Sequence, residues 1–97
     1  MFESDKAQAR LEAIVRGRVQ GVYFRQTTLQ TARALGITGW VANLRNGNVK
    51  VVAEGSHSAL ERLLAWLQTG PAMAHVDEVE SDWSDATGDF PGFDVHY

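Results

Sequence analysis

The feature that most constrains the fold of this chain is the order in which two hydrophobic periodicities follow each other. Apolar residues recur at every second position in some stretches, as β-strands require, and at helical spacing in two others. The strand-like stretches are 10–19, the apolar run 37–44, 49–54, 76–84 and 93–97. The helical stretches are 23–35, which stops before Gly36, and a segment that begins near Ser56 or Ser58 and ends at Gly70-Pro71.

This order predicts β-α-β-β-α-β with a short extra C-terminal strand. Such an order is typical of the ferredoxin-like split βαβ sandwich, an α+β fold in which one antiparallel sheet carries two helices on one face. Asn46-Gly47, between the second and third strands, predicts a hairpin with a type I′ turn. Residues 1–8 are polar and without periodicity, so we expect a disordered N-terminal segment there and one domain over residues 9–97.

The segment that joins the first strand to the first helix, residues 17–25, reads Gly-Arg-Val-Gln-Gly-Val-Tyr-Phe-Arg. The first backbone N–H groups of a helix lack intrahelical acceptors and carry partial positive charge, and glycines let the main chain close around a phosphate-sized anion. The candidate cradle is the backbone of the loop residues Val19, Gln20, Gly21, Val22 and Tyr23. Arg25 would face the same anion with its planar guanidinium. The spacing alone also fits a tight turn without a ligand.

Composition excludes several classes of protein. The 97 residues include no cysteine, so disulfides and thiolate zinc sites are impossible. The three histidines are scattered without the spacing of zinc ligands, and we expect no metal site. Residues 1–6 carry charges where a signal peptide needs an apolar run, and no stretch approaches the roughly 20 apolar residues of a membrane span. We expect a cytoplasmic monomer without a membrane partner.

Four segments carry a resemblance to a known family, namely residues 17–25, 34–44, 46–47 and 70–71. Gly-x-Val-Gln-Gly-Val-x-Phe-Arg followed by Gly-Trp-Val-x-Asn, at this separation and in this order of elements, is highly specific. On these residues the chain resembles the acylphosphatases from about residue 9 to the C-terminus. The departures are minor: Tyr23 occupies a variable position, and the hairpin has Asn46-Gly47 where Asp-Gly is frequent.

The resemblance implies that the protein hydrolyses the carboxyl–phosphate bond of acyl phosphates, giving carboxylate and inorganic phosphate, with no metal or cofactor. It also implies two roles. In that family the motif arginine, here Arg25, binds the substrate phosphate, and the motif asparagine, here Asn43, orients the attacking water. A small acyl phosphate is then the expected substrate, and inorganic phosphate is expected to compete with it.

The chemistry of acyl phosphates is compatible with so simple a site. Their carboxylate leaving group has a low proton affinity and needs no general acid. The remaining tasks are to hold the phosphoryl group, neutralise its charge and place a water in line. Asn43 is neutral, so its amide can fix a water beside an anionic substrate that a carboxylate would repel. We therefore expect Arg25 and Asn43 to converge within the span of one phosphate and one water.

Two other functions compete with hydrolysis. The first is a binding module that uses the same cradle for a phosphorylated ligand without turnover, although binding alone needs no water-positioning amide. The second is an RNA-recognition sheet of the same fold. That function requires exposed aromatic residues on the central strands and a basic face, whereas residues 49–54 contain no aromatic and the net charge is −3. No nucleic-acid partner is therefore expected.

Overall fold

The computed structural model describes residues 8–97, which form a five-stranded sheet with two helices packed against its apolar face. In chain order the elements are β1 (Gln8–Arg18), α1 (Phe24–Ala34), β2 (Thr38–Asn43), β3 (Val49–Ser56), α2 (His57–Leu67), β4 (His75–Asp85) and β5 (Phe93–His96). The ferredoxin-like class is confirmed. The expected disordered segment lies outside the described residues except at Gln8, which instead begins β1 and pairs with Ser56.

The strands lie in the order β4-β1-β3-β2-β5. Neighbouring strands from β4 to β2 pair antiparallel, but β5 runs parallel to β2, with Val95 opposite Val41. The expectation of an entirely antiparallel sheet is thus wrong at one edge. A hairpin would have reversed the chain beside β4, whereas residues 86–92 carry it to the opposite edge of the sheet, where it enters β5 in the direction of β2.

One core lies between the sheet and the helices. Alternate strand positions and one stripe of each helix supply its buried residues, which include Leu11, Ala13, Val15, Phe24, Ala32, Leu60, Leu63 and Leu67. The alternation in 76–84 predicts that Trp83 faces inward with Val79. Trp83 lies opposite Leu11 but is 39% exposed, because no other strand among residues 8–97 pairs with the outer edge of β4. Its ring stacks on His57, with 4.5 Å between the ring centres. No helix among residues 8–97 is long and apolar enough to cross a membrane.

The turn between β2 and β3 differs from the predicted type. Gly47 donates its backbone N–H to the Leu44 carbonyl at 3.2 Å, and Leu44 donates to the Asn48 carbonyl at 2.8 Å. Gly47 has a φ of 92°, while Asn46 is not in the left-handed region that a type I′ turn requires of both central residues. The loop therefore has three residues, a turn followed by a left-handed glycine bulge, and the Asn-Gly pair suits this turn as well.

The linker between β4 and β5 is fixed by Glu54, whose carboxylate is buried on the face of the sheet away from the helices. The carboxylate accepts hydrogen bonds from the backbone N–H groups of Thr87 and Gly88, from the Thr87 hydroxyl and from Arg10, at 2.8–3.0 Å. Burial raises the pKa of Glu54, but these donors outweigh burial and lower the pKa to about 2. The linker that leads into β5 is thereby held against β3.

Candidate active site

The C-terminal ends of three strands, β1, β2 and β5, lie at the same end of the sheet. β1 and β2 are both antiparallel to β3, and β5 is parallel to β2, so all three run in one direction. Asn43 closes β2, Tyr97 follows β5, and residues 19–23 follow β1. Ala42 lies opposite His96, so the next residues along the two strands, Asn43 and Tyr97, are neighbours. Segments distant in sequence therefore meet at one place.

A cavity of about 310 Å³ lies where these segments meet the start of α1. Its lining residues are Val19, Gly21, Tyr23, Phe24, Arg25, Gln26, Asn43, Val95 and Tyr97. Arg25 and Asn43, expected from the sequence to converge, lie on the wall of this one cavity. Two of the five predicted cradle residues are not on its wall: the Gln20 side chain is bonded to the β2–β3 turn, and Val22 packs into the core.

The backbone of the loop leaves helix donors free for a ligand. Gly21 has a φ of 74°, and Tyr23 is the one non-glycine residue among residues 8–97 with a positive φ, at 63°. Tyr23 precedes α1 without a side-chain cap, and no acidic residue lies in the first turn. Thr27 donates its N–H to the Tyr23 carbonyl at 3.0 Å, so the preceding N–H groups, on residues 24–26, are those that lack an intrahelical acceptor. Such an array is suited to an anion.

Arg25 is free of the ion pairs that occupy several other cations of the protein. Arg10 and Arg16 each bind carboxylates, whereas no carboxylate within residues 8–97 pairs with Arg25. Its guanidinium carbon lies 4.8 Å from the centre of the Tyr97 ring. This contact leaves the guanidinium donors available, because an aromatic face attracts the cation without accepting all of its N–H groups. The positive charge therefore faces the cavity uncompensated.

Asn43 contributes a buried acceptor. Its Oδ1 is inaccessible to solvent and is the one buried side-chain polar atom of the described chain that has no hydrogen-bond partner. Buried polar atoms are nearly always hydrogen-bonded, so this oxygen calls for a donor. A phosphate oxygen is an acceptor and cannot satisfy it, whereas the O–H of a water can, once a rotation of the Asn43 amide exposes the oxygen to the cavity. Asn43 is held at the end of β2, opposite Val49 of β3.

The sequence did not identify the rest of the lining, which consists of Gln26 and the apolar or aromatic side chains of Phe24, Val95 and Tyr97. The alternation of Phe93, Val95 and Tyr97 predicted that these three residues share one face. It could not show that β5 lies beside β2, which is what brings Val95 and Tyr97 to the cavity. Within residues 8–97 no group of three or more potential ligands is placed to hold a metal.

The fold and the cavity define the chain as a ferredoxin-like α+β protein with a cationic site at the C-terminal ends of three strands. The family model for acylphosphatase matches residues 11–95. An acylphosphatase of Mycolicibacterium vanbaalenii is 50% identical to this chain, over 96% of this chain and 97% of that protein. An acylphosphatase of Pelotomaculum thermopropionicum is 44% identical, over 94% of this chain and 99% of that protein. The structure of an acylphosphatase from Coxiella burnetii superposes with a TM-score of 0.88 at 35% identity, covering 99% of this chain and 100% of that one. The chain belongs to the acylphosphatase family and is a hydrolase of acyl phosphates.

Proposed function

We propose that the cavity at the end of β1, β2 and β5 is where hydrolysis occurs, with Arg25 and the loop amides on the phosphoryl group and Asn43 on the attacking water. The observation that carries this proposal is that an unpaired guanidinium, uncapped helix N–H groups and a buried acceptor without a partner line one cavity. The first two groups match the oxygens of a phosphate. The third matches a water.

Binding of the phosphoryl group would use donors that the fold has already fixed. Backbone N–H groups of the 19–23 loop and of the start of α1 need no side-chain ordering, and a bidentate guanidinium adds charge and direction. Of the loop residues, Val19, Gly21 and Tyr23 line the cavity, and Gln20 and Val22 complete the loop that shapes it. Negative charge that develops on the equatorial oxygens would be stabilised by the same donors.

The nucleophile would be a water held by the Oδ1 of Asn43 after a rotation of its amide that turns this oxygen into the cavity. This acceptor fixes one O–H direction and leaves an oxygen lone pair free to point at phosphorus, opposite the carboxylate leaving group. The attack breaks the bond between phosphorus and the acyl oxygen, and the carboxylate leaves with the bonding electrons. One proton of the water passes to the phosphate product, whose oxygens are the nearest bases. No protein base is required, and the pocket contains no carboxylate side chain.

Several accompanying properties belong to this proposal. Inorganic phosphate is a product and should compete with substrate for the cradle. Turnover should not depend on a metal, because cation and amide donors already cover the phosphoryl oxygens. A monomeric enzyme of the cytoplasm also belongs to the proposal, and the absence of cysteine fits that reducing compartment.

The test is hydrolysis of benzoyl phosphate in buffer that contains a chelator, with wild type beside Arg25→Ala and Arg25→Lys. Removal of one oxyanion donor typically costs about 10²–10³ in kcat, so Arg25→Ala should lose at least that factor. Arg25→Lys keeps the charge but not the bidentate geometry and should recover only part of the rate. Arg62→Ala is the matched control, because Arg62 is exposed on α2 and does not line the cavity.

Wild type that binds phosphate but hydrolyses no benzoyl phosphate would favour a binding module instead. Wild type with activity that Arg25→Ala retains would place the reaction elsewhere on the molecule.

A further inference from the structure

The side chain of Gln20 ties the candidate phosphate loop to the turn that follows Asn43. Its Nε2 donates to the carbonyl of Leu44 at 2.7 Å and to the carbonyl of Asn48 at 2.8 Å. The two acceptors are 24 and 28 residues away in sequence, at the two ends of the β2–β3 turn. One primary amide therefore uses both of its hydrogens on a single turn.

The turn that Gln20 contacts is itself closed by backbone hydrogen bonds. The Leu44 carbonyl also accepts from Gly47, and the Asn48 carbonyl accepts from Leu44. Each carbonyl that binds Gln20 thus has a second donor, and the turn is held as a unit. Leu44 directly follows Asn43, so the position of Asn43 relative to the turn is fixed by covalent geometry. Movement of the 19–23 loop would break both contacts of Gln20.

This arrangement separates two functions within the loop. Val19, Gly21 and Tyr23 line the cavity, while the side chain of Gln20 points to the turn. Because of this alternation, the Gln20 side chain contacts the turn and not the cavity, so it can hold the loop in position. In the sheet, β3 lies between β1 and β2, so no strand pairing joins the end of β1 directly to Asn43. The side chain of Gln20 supplies a direct link across this gap.

We infer that Gln20 is a positioning residue, which sets the distance between the phosphoryl group in the loop and the water on Asn43. The inference rests on the proposed function. In-line attack requires the reacting atoms at about 3–3.5 Å, and a misplacement of about 1 Å can cost on the order of 10²-fold in rate. Gln20 would therefore affect kcat through Asn43, while the loop and Arg25 continue to bind phosphate.

The experiment is a double-mutant cycle on benzoyl phosphate hydrolysis with Gln20→Met, Asn43→Ala and the double variant. Methionine has a similar length and no donor. We expect Gln20→Met to lower kcat by roughly 10–100-fold, with the inhibition constant of inorganic phosphate changed less than about threefold. In the Asn43→Ala background the same substitution should have almost no further effect, because its target is already gone. Gln30→Met, on the exposed side of α1, is the control.

The cycle distinguishes this inference from the proposal on which it rests. If the two losses in kcat multiply, Gln20 acts independently of Asn43 and the inference is wrong, although the proposed function stands. If Asn43→Ala is as fast as wild type, the proposed water site itself is wrong. Melting temperatures of all variants show whether each is fully folded at the assay temperature. A smaller folded fraction would lower the apparent kcat without changing the phosphate inhibition constant, so a loss in Gln20→Met that such a fraction accounts for would overturn the inference.

Gln20→Glu gives a second readout that a structural role would not produce. Protonated, the new side chain can donate one hydrogen bond to the turn; ionised, it places a negative charge against two carbonyl oxygens. The ratio of its kcat to that of wild type should therefore fall as the pH rises through the pKa of the new carboxyl. A ratio that is constant from pH 4.5 to 7.5 would overturn the inference.

Discussion

The guanidinium of Arg25 rests on the ring of Tyr97, with 4.8 Å between its central carbon and the ring centre. The contact joins the first turn of α1 to the residue that follows β5. Tyr97 is 98% exposed, so this contact buries very little of the residue. β5 reaches this position because it pairs parallel to β2, which places the C-terminal ends of both strands side by side.

Loss of the Tyr97 ring should loosen Arg25. Exposed cation–π contacts are worth about 0.5–1 kcal/mol, so Tyr97→Ala should weaken inhibition by inorganic phosphate roughly 2–5-fold. Tyr97→Phe retains the aromatic face and should bind phosphate nearly as wild type does. Steady-state inhibition measurements on the three proteins test this. Equal losses in both variants would mean that the hydroxyl, and not the ring face, matters.

Asn43→Ala should lower kcat and leave the binding of phosphate intact. Its Oδ1 is proposed to hold the water and not the phosphoryl group, so we expect a loss on the order of 10²-fold in kcat, as for a misplaced nucleophile, and a change below about threefold in the phosphate inhibition constant.

Asn43→Asp tests the same residue in a second way. It keeps an acceptor for the water but adds a negative charge, and should weaken phosphate binding as well. If Asn43→Ala lost phosphate affinity and rate to the same extent, Asn43 would be a phosphate ligand instead.

The side chain of Tyr23, a residue with a left-handed backbone, should be replaceable without loss of function. A non-glycine residue in this conformation costs roughly 1–2 kcal/mol, and the side chain of Tyr23 is 80% exposed. Tyr23→Gly should therefore raise the free energy of unfolding by up to about 1 kcal/mol and retain hydrolysis, while Tyr23→Ala keeps the strain and gains nothing. Urea unfolding of the three proteins measures this. A large loss of activity in Tyr23→Ala would implicate the phenol ring.

Glu54 should make stability dependent on pH in the acidic range. Folding lowers the pKa of its carboxyl from the ordinary 4.5 to about 2, so the folded state favours the ionised form. The resulting stabilisation is complete above pH 4.5 and is lost as the pH falls toward 2. A shift of this size corresponds to about 3 kcal/mol.

The comparison of wild type with Glu54→Gln isolates this effect from the other carboxylates. Between pH 7 and pH 3, the advantage of wild type in free energy of unfolding should shrink by about 2 kcal/mol. Urea titrations of both proteins at several pH values provide the measurement. A gap that stayed constant over this range would show that Glu54 titrates normally in the folded protein.

Much of the fold follows from local patterns in the sequence. The alternation of Leu11, Ala13 and Val15 and the helical spacing of Leu60, Leu63 and Leu67 are direct consequences of which face is buried, so the types and order of the elements could be predicted. The capping-box spacing of residues 58–61 pointed to Ser58 as the cap of α2, with Ser56 as the alternative. The structure selects Ser56, whose hydroxyl accepts the Ala59 N–H at 3.2 Å.

What could not be predicted depends on contacts between distant segments. Asn46-Gly47 is compatible with two turn types, and the sequence does not reveal which hydrogen bonds close the loop. The parallel pairing of β5 is set by the path of its linker, which Glu54 anchors from the middle of another strand. For the same reason Tyr97 and Val95 were not recognised as part of the cavity. That Arg25 and Asn43 line one cavity could be anticipated, because each lies within a specific motif.

The most direct test of the proposed site is a crystal structure of the protein with phosphate. We expect the anion against the backbone N–H groups at the start of α1 and the guanidinium of Arg25, with a water bound to the Oδ1 of Asn43 on its far side. Phosphate bound outside this cavity, or an Asn43 side chain turned away from the bound anion, would contradict the assignment.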